Sequence, residues 1–177
     1  MALPTLRADA QRNLERVLDA ATEVFAASGP DSSIDEIARR AGVGHATVFR
    51  RFPTKEALMV AVIERRVEEL RALVHQALAA DDPGEALFDF IWKVSELHAS
   101  ARGLHQCLAH CHDHPGSLEL EQLAEKLVRR AQKAGAVRRD VKPSDVPPLV
   151  RGALEAAPPG EWSRYVSVVV DGLRAQS

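Results

Sequence analysis

The sequence predicts an all-α protein, and three observations support this prediction. The 177-residue chain is rich in Ala, Leu, Glu and Arg, and only 5% of its residues are aromatic, a composition that favours helices. Apolar residues recur at spacings of three and four along residues 14–25 and 63–78, as one buried helix face requires. Breaks that contain Pro and Gly, at residues 81–84 and 157–160, separate such segments.

Four helices are predicted in the first part of the chain. The second of them opens at Ser33, which forms a Ser-x-x-Glu capping box with Glu36, and stops at Gly42, which can adopt a left-handed conformation there. Thr54 is placed to cap the fourth. The other predicted limits are about residue 28 for the end of the first helix, 45–51 for the third and 54–80 for the fourth.

Helices are also predicted for the rest of the chain. The helix through residues 87–97 is apolar nearly all round, which predicts a place inside a bundle. The last segment has β-branched residues that could suggest a strand, but no partner strand is visible. Because Trp162, Val166 and Val169 keep helical spacing, we predict a helix over about 160–175. The remaining predicted helices cover about 103–114, 117–135 and 144–154.

Composition and charge exclude several classes of protein. The formal net charge is −2, with 46% hydrophobic and 27% charged residues, as in an ordinary globular chain. No apolar run approaches the roughly 20 residues of a transmembrane helix, and the N-terminus lacks a signal-peptide core. No Gly-rich phosphate loop, nucleophile elbow or zincin helix occurs. We therefore expect a cytoplasmic protein that is not an enzyme, needs no cofactor and does not bind a membrane.

One short segment of this mildly acidic chain is cationic. Residues 37–55 contain five cations and no acid, and the two short helices there have the proportions of a helix-turn-helix. The i,i+4 pair Val48 and Phe52 would point inward, leaving Thr47, Arg50 and Arg51 on an outer face. Arg can bond to guanine O6 and N7, and an acid there would oppose the phosphates. The segment is predicted to contact DNA; the alternative is a solvated cationic face.

Residues 6–58 resemble the DNA-binding domain of TetR-type transcriptional repressors. The resemblance rests on RADAQRNLERVLDAATEVFAASG in the first helix and SSIDEIARRAGVGHATVFRRFPTKEAL in the motif. It implies a homodimer that binds a palindromic double-stranded DNA operator and is released by a small-molecule effector. It also implies a DNA-binding domain at 1–54 and a regulatory ligand-binding and dimerisation domain at 55–177. The candidate DNA-binding residues are Ser33, Gly44, His45, Ala46, Thr47, Phe49, Arg50, Arg51 and Lys55.

Several of these positions depart from the family pattern. Gly44 stands where the family usually has a Ser or Thr that caps the recognition helix, and Phe49 stands where Tyr is most common. Arg50 and Arg51 occupy positions often held by His or other residues. Lys55 matches the family lysine that meets a phosphate. The departures bear on the operator sequence rather than on DNA binding itself.

The second half of the chain resembles the family's regulatory bundle in its layout. Candidate effector-binding residues, chosen for an apolar pocket, are Phe88, Ile91, Trp92, Leu104 and Leu108. The last two helices of such subunits form the dimer interface, which here implies Leu149, Ala153, Trp162, Tyr165, Val169 and Leu173. The alternative is that the stripe on the last helix packs inside its own subunit.

A cluster of histidines and cysteines supplies a second hypothesis. Cys107, His110, Cys111 and His114 share one predicted helix face, and these ligand types suit Zn²⁺ or Cu(I). One straight helix cannot complete a tetrahedral site, so we expect no bound metal and keep a metal- or redox-sensing repressor as the alternative. A helical small-molecule-binding protein without DNA activity is a further alternative.

Overall fold

The computed structural model describes residues 3–100 and 115–175, and it confirms the all-α prediction there. These residues form eight α-helices and no extended strand. Helices α1 to α5 cover Leu3–Ser28, Ile34–Ala41, His45–Arg51, Lys55–Ala79 and Pro83–Ala99. Helices α6 to α8 cover Pro115–Lys133, Val146–Ala156 and Trp162–Leu173. The predicted helix at about 103–114 lies outside the described residues.

The first compact unit, described here over residues 3–66, is built around the apolar face of α1. Val24 and Phe25 of that face are at most 1% exposed. Ile37 of α2, Val48 of α3 and Leu58 of α4 pack into the same core. The periodicity of residues 14–25 therefore predicted the correct inner face of α1.

The start of α4 belongs to this first unit. Leu58 and Val62 are buried in the core that α1, α2 and α3 share, and Arg65 donates to the Asp19 carboxylate of α1 at 2.7 Å. The division between the two compact units consequently falls after Arg66, inside α4. The predicted domain boundary between 54 and 55 lies twelve residues before this division, where α4 begins.

The second compact unit, described over residues 67–100 and 115–175, contains the rest of α4 and helices α5 to α8. Leu87 and Ile91 of α5, Leu127 of α6 and Val150 of α7 are buried in its core. Arg130 of α6 donates hydrogen bonds to the carbonyls of residues 78 and 80, at the end of α4. A guanidinium thus satisfies carbonyls that the end of a helix leaves without an internal partner.

Helix α8 confirms the helical prediction for the β-branched segment. Val166, Val170 and Leu173 are all at most 3% exposed, and their spacings of four and three place them on one helical face. The helix ends at a single antiparallel bridge between Val137 and Arg174. The Arg138 N–H donates to the Leu173 carbonyl at 3.0 Å across that bridge.

Within residues 3–100 and 115–175, none of the helices combines the length and the apolar character needed to cross a bilayer.

Candidate nucleic-acid interface

The turn between α2 and α3 is fixed by local hydrogen bonds that the sequence predicts. The Glu36 N–H donates to the Ser33 hydroxyl at 3.2 Å, so the hydroxyl of this exposed residue serves as the N-cap of α2. Gly42 has φ +64° and ends α2 in the left-handed conformation. The Val43 N–H then donates to the Ala38 carbonyl at 3.0 Å, which completes the predicted glycine C-cap.

Helix α3 has the predicted inner and outer faces. Val48 is 1% exposed and Phe52 7% exposed, both in the core of the first unit. Arg50 and Arg51 are exposed and Thr47 is half-buried. The inward pair therefore fixes the rotation of α3, and the candidate contact residues face away from the core.

The outer face of α3 borders an open groove of about 690 Å³. Thr47, Arg50 and Arg51 line one side of it, and Asp9, Gln11 and Asn13 of α1 line the other. We did not predict a role for these α1 residues from the sequence. The sequence signal that could have indicated such a role is the set of polar residues that lie between the apolar positions of α1.

The start of α3 is held without a side-chain cap. Gly44 occupies the N-cap position and provides only its carbonyl, which accepts from the Thr47 N–H at 2.9 Å. Nδ1 of His45 lies 2.5 Å from a carboxylate oxygen of Asp35, which ties the first residue of α3 to α2. The His45 ring also stacks on the ring of Phe49 at a centroid distance of 6.0 Å. Phe49 nevertheless stays 51% exposed, an apolar surface beside the two arginines and the exposed Ala46.

The charges around the motif are partly neutralised by acids from outside the acid-free segment. Arg40 of α2 donates to the Glu23 carboxylate of α1 at 2.6 Å. The other four cations make no hydrogen bond or ion pair with any residue that the structure describes. These four, which we name the unpaired cations, are Arg39, Arg50, Arg51 and Lys55.

The start of α4 places a cation beside an acid. The Thr54 hydroxyl accepts from the Ala57 N–H at 3.1 Å, as the predicted cap requires. Hydrogen bonds from its own backbone N–H and from the Thr54 hydroxyl hold the pKa of Glu56 below its ordinary value. This carboxylate therefore uses part of the positive end of α4, and the Lys55 ammonium beside it has no ion-pair partner among the described residues.

Comparison with known protein families agrees with the order of the helices and with the geometry of the turn between α2 and α3. The model of the C-terminal domain of SbtR-like transcriptional regulators matches residues 82–175, which is more than half of the chain. The model of the tetR family of bacterial regulatory proteins matches residues 17–62. The chain belongs to the TetR family. This family consists of transcriptional regulators with an N-terminal helix-turn-helix domain.

Solved structures of TetR-family proteins extend the similarity to nearly the whole chain. A TetR regulatory protein from Mycobacterium vanbaalenii is 42% identical, with a TM-score of 0.75, over 96% of this chain and 99% of that one. A TetR regulator from Streptomyces coelicolor is 28% identical, with the same TM-score of 0.75, over 93% and 99%.

Curated relatives match mainly around the helix-turn-helix. The HTH-type transcriptional repressor Rv3405c of Mycobacterium tuberculosis is 44% identical over 66 residues, which is 37% of this chain and 35% of that protein. The match spans about a third of the length of that relative.

The second unit of this TetR-family chain contains an apolar cavity of about 230 Å³. Of the three predicted effector-binding residues that the structure describes, only Ile91 lines it. Phe88 is buried beneath the Arg174 guanidinium, 4.3 Å from the ring centroid, and Trp92 packs edge-on against Trp162. Leu104 and Leu108 lie outside the described residues.

The described lining of the cavity differs from the residues predicted on α5. The helix turns by about 100° per residue, so Phe88 and Trp92 point away from the cavity. The α5 residues that line it are Leu87, Phe90, Ile91, Val94 and His98.

Three of the residues predicted for the dimer interface pack against the core of their own subunit. Leu173 is 3% exposed and belongs to the core of its own subunit. Trp162 and Val169 pack against that same core. In this subunit the inner face of α8 is formed by positions 162, 166, 169, 170 and 173, so these three residues lie on the side of α8 that faces its own core.

The other three residues predicted for the interface, Leu149, Ala153 and Tyr165, lie with Val168 on the solvent side of α7 and α8. Leu149 is 50% exposed and Val168 is 70% exposed, and Ala153 and Tyr165 are half-buried beside them in the sequence. We name these four residues the outer face of α7 and α8. The sequence analysis did not select Val168, the most exposed of the four, because neighbouring residues of α8 already fit the helical spacing of one apolar face.

The predicted cluster of Cys107, His110, Cys111 and His114 lies outside the described residues. In residues 3–100 and 115–175, no group of three or more His, Cys, Asp or Glu side chains is arranged to hold a metal ion.

Proposed function

We propose that this protein binds a palindromic DNA operator as a homodimer and represses transcription until a small molecule binds its second unit. The open, cationic outer face of α3 is the observation that carries this proposal. A buried pair on the opposite side of α3 fixes that face outward, where the edges of base pairs are reachable in a major groove.

The outer face of α3 offers groups that suit both parts of a DNA site. Arg50 and Arg51 can each form a bidentate contact with guanine, and Ala46 or Phe49 can pack on a thymine methyl. Lys55 can meet a phosphate one helix later. Each correct bidentate arginine contact contributes about 1–3 kcal/mol of discrimination between bases.

Selection of binding sites from random DNA tests the outer face of α3 directly. Binding sites selected from random duplexes are expected to be palindromic, with half-site centres about 34 Å or a multiple apart. Arg50→Ala/Arg51→Ala is expected to weaken binding and to relax the preference at the bases that the arginines read. The matched control is Arg129→Ala/Arg164→Ala, which removes two exposed arginines from the second unit. Equal affinity and equal selectivity of the two double variants would remove α3 from the interface.

The outer face of α7 and α8 supports dimerisation. Large exposed apolar groups at Leu149 and Val168 would lose contact with water in an interface with a second copy. Val168→Asp would bury an unpaired carboxylate there, so we expect a monomer in sedimentation at concentrations that keep the wild type dimeric. Ser163→Asp adds the same charge at another exposed position of α8 and should leave the dimer intact. A dimeric Val168→Asp protein would place the interface elsewhere.

Ligand-controlled release requires only a modest coupling between the two sites. A coupling free energy of about 1–3 kcal/mol changes the DNA affinity about 5- to 150-fold. Reporter transcription from a promoter that contains the selected operator is expected to fall when the protein is present and to recover with the effector. Transcription that rises with the protein would replace repression by activation.

A further inference from the structure

The cavity in the second unit has apolar walls and one polar end. Twelve of the fifteen described residues that line it are apolar, contributed by α4, α5, α6 and α7. The three polar ones are His98, Glu121 and Arg151. A cavity lined in this way selects an apolar body and uses its few polar groups to orient the ligand.

The antiparallel course of α5 and α6 brings the polar groups to one end. At the start of α5, a Cβ at Gly84 would lie 2.5 Å from the Cβ of Ala136, just beyond the end of α6. His98 lies 14 positions after Gly84 within α5, and Glu121 lies 12 positions before Lys133, the last residue of α6, which are roughly 21 and 18 Å at the rise of a helix. His98 and Glu121 therefore lie at the same level, and Glu121 is paired with Arg151 at 3.4 Å.

The balance of donors and acceptors at this end favours an anionic head group. The Arg151–Glu121 contact is long, and the two side chains are 37% and 51% exposed, so the pair is a weak one. Among the described residues this is the only partner of the Arg151 guanidinium. A guanidinium has five N–H donors, so most of them are available to a second carboxylate. Among the described lining residues Glu121 is the only acid, and a ligand carboxylate can share the Arg151 guanidinium with it or replace it there.

The volume of the cavity limits the length of the apolar body. At roughly 30 Å³ for each water-sized group, a cavity of 230 Å³ holds about eight such groups. This is below the roughly 300–1,000 Å³ of common drug-sized sites.

We propose that the cavity binds a medium-chain aliphatic carboxylic acid of about eight carbons, with its carboxylate on Arg151 and its chain between α4, α5 and α7. The proposal names the class of effector for the second unit and in that respect rests on the proposed function. The chain of the acid would contact Leu70, a residue of the same helix α4 that begins at Lys55.

Calorimetric titration of the full chain in the absence of DNA tests the head group and the length. Octanoate is expected to bind about 10- to 100-fold more tightly than octanol or octylamine, the ratio that one charge-assisted hydrogen bond supplies. Dodecanoate is expected to bind more weakly than octanoate because its twelve carbons need more than the volume of about 230 Å³ that the cavity offers. Equal affinity for octanoate and octanol, a preference for octylamine, or no binding of any of the four compounds would overturn the proposal.

Variants locate the carboxylate. Arg151→Gln is expected to lose about 10- to 100-fold in octanoate affinity and to keep its octanol affinity, which also shows that the cavity is still formed. Glu121→Gln removes the competing carboxylate and is expected to bind octanoate several-fold more tightly. Arg129→Gln, which removes another exposed arginine from an ion pair on α6, is the matched control and should behave as wild type. An Arg151→Gln protein with unchanged octanoate affinity would overturn the assignment.

A separate DNA titration without any acid keeps the two proposals distinguishable. Normal DNA binding with no octanoate binding would refute the effector class alone. Octanoate binding that depends on Arg151, in a protein that binds no duplex, would refute the proposed function and leave the carboxylate site standing.

Discussion

Two cations of the helix-turn-helix region differ in whether an acid neutralises them, and the salt dependence of DNA binding should reveal the difference. Lys55 has no ion-pair partner among the described residues, whereas Arg40 is bound to Glu23 at 2.6 Å. In the proposed dimer on its operator, Lys55→Gln would remove one phosphate contact from each half, which is two contacts in all. Since each contact contributes about 0.9 to the slope of log K against log salt, the slope should become shallower by about 1.8.

The difference in slope also predicts how the ratio of the two DNA affinities changes with salt concentration. Between 50 and 200 mM salt, a slope difference of about 1.8 reduces the ratio of wild-type to Lys55→Gln affinity by roughly tenfold. Fluorescence anisotropy with the selected operator measures both slopes. Arg40→Gln makes an equal change in net charge and is expected to keep the wild-type slope, because its guanidinium is already engaged by Glu23. Equal slopes for wild type and Lys55→Gln, or a larger change for Arg40→Gln, would refute the assignment of contacts from ion pairing.

The remaining predictions concern stability and ionisation. Gly42→Ala should destabilise the protein to urea by about 1 kcal/mol or more, because φ is +64° and the new Cβ would lie 2.5 Å from Nη2 of Arg16. Gly44→Ser should instead stabilise it by a few tenths of a kcal/mol, since it adds a helix cap where a Cβ meets nothing closer than 4.0 Å; a reversed order would contradict both. The Arg138 guanidinium donates to the Asp140 carboxylate and lowers the pKa of Asp140 below its ordinary value of 3.8. The contact therefore stabilises the folded state at pH values above 3.8, and this stabilisation is lost as the pH falls through the lowered pKa. In an NMR titration, Arg138→Gln should raise the pKa of Asp140 toward 3.8, and an unchanged pKa would contradict the cause.

The elements of the first unit could be predicted because their signals are local. A capping box needs only Ser33 and Glu36, a left-handed C-cap needs only Gly42, and both act within one turn of helix. The rotation of α3 follows from a single i,i+4 pair, Val48 and Phe52. Each of these features is decided by residues within about five positions of one another, so one sequence is sufficient to find them.

The assignments in the second unit needed information that is not local. Helix α5 is apolar nearly all round, so periodicity could not tell Phe90 and Val94, which line the cavity, from Phe88 and Trp92, which pack elsewhere. On α8 the spacing of the apolar residues identified one helix face but not the element against which that face packs. Leu173 faces its own core, because the arrangement of α5, α6 and α7 decides which side of α8 is covered.

The pairing of charges explains how an acidic chain can present a cationic surface. Asp19 and Glu23 of α1 lie outside the acid-free segment, and each is engaged by an arginine of another helix, Arg65 and Arg40, at 2.7 and 2.6 Å. These acids connect α1 to α4 and to α2, so they hold the helices that carry α3 while their charge is compensated locally. Screening over roughly 8 Å at physiological salt removes most of the influence of more distant acids. The net charge of −2 therefore says little about DNA affinity; the position of each acid relative to the unpaired cations determines it.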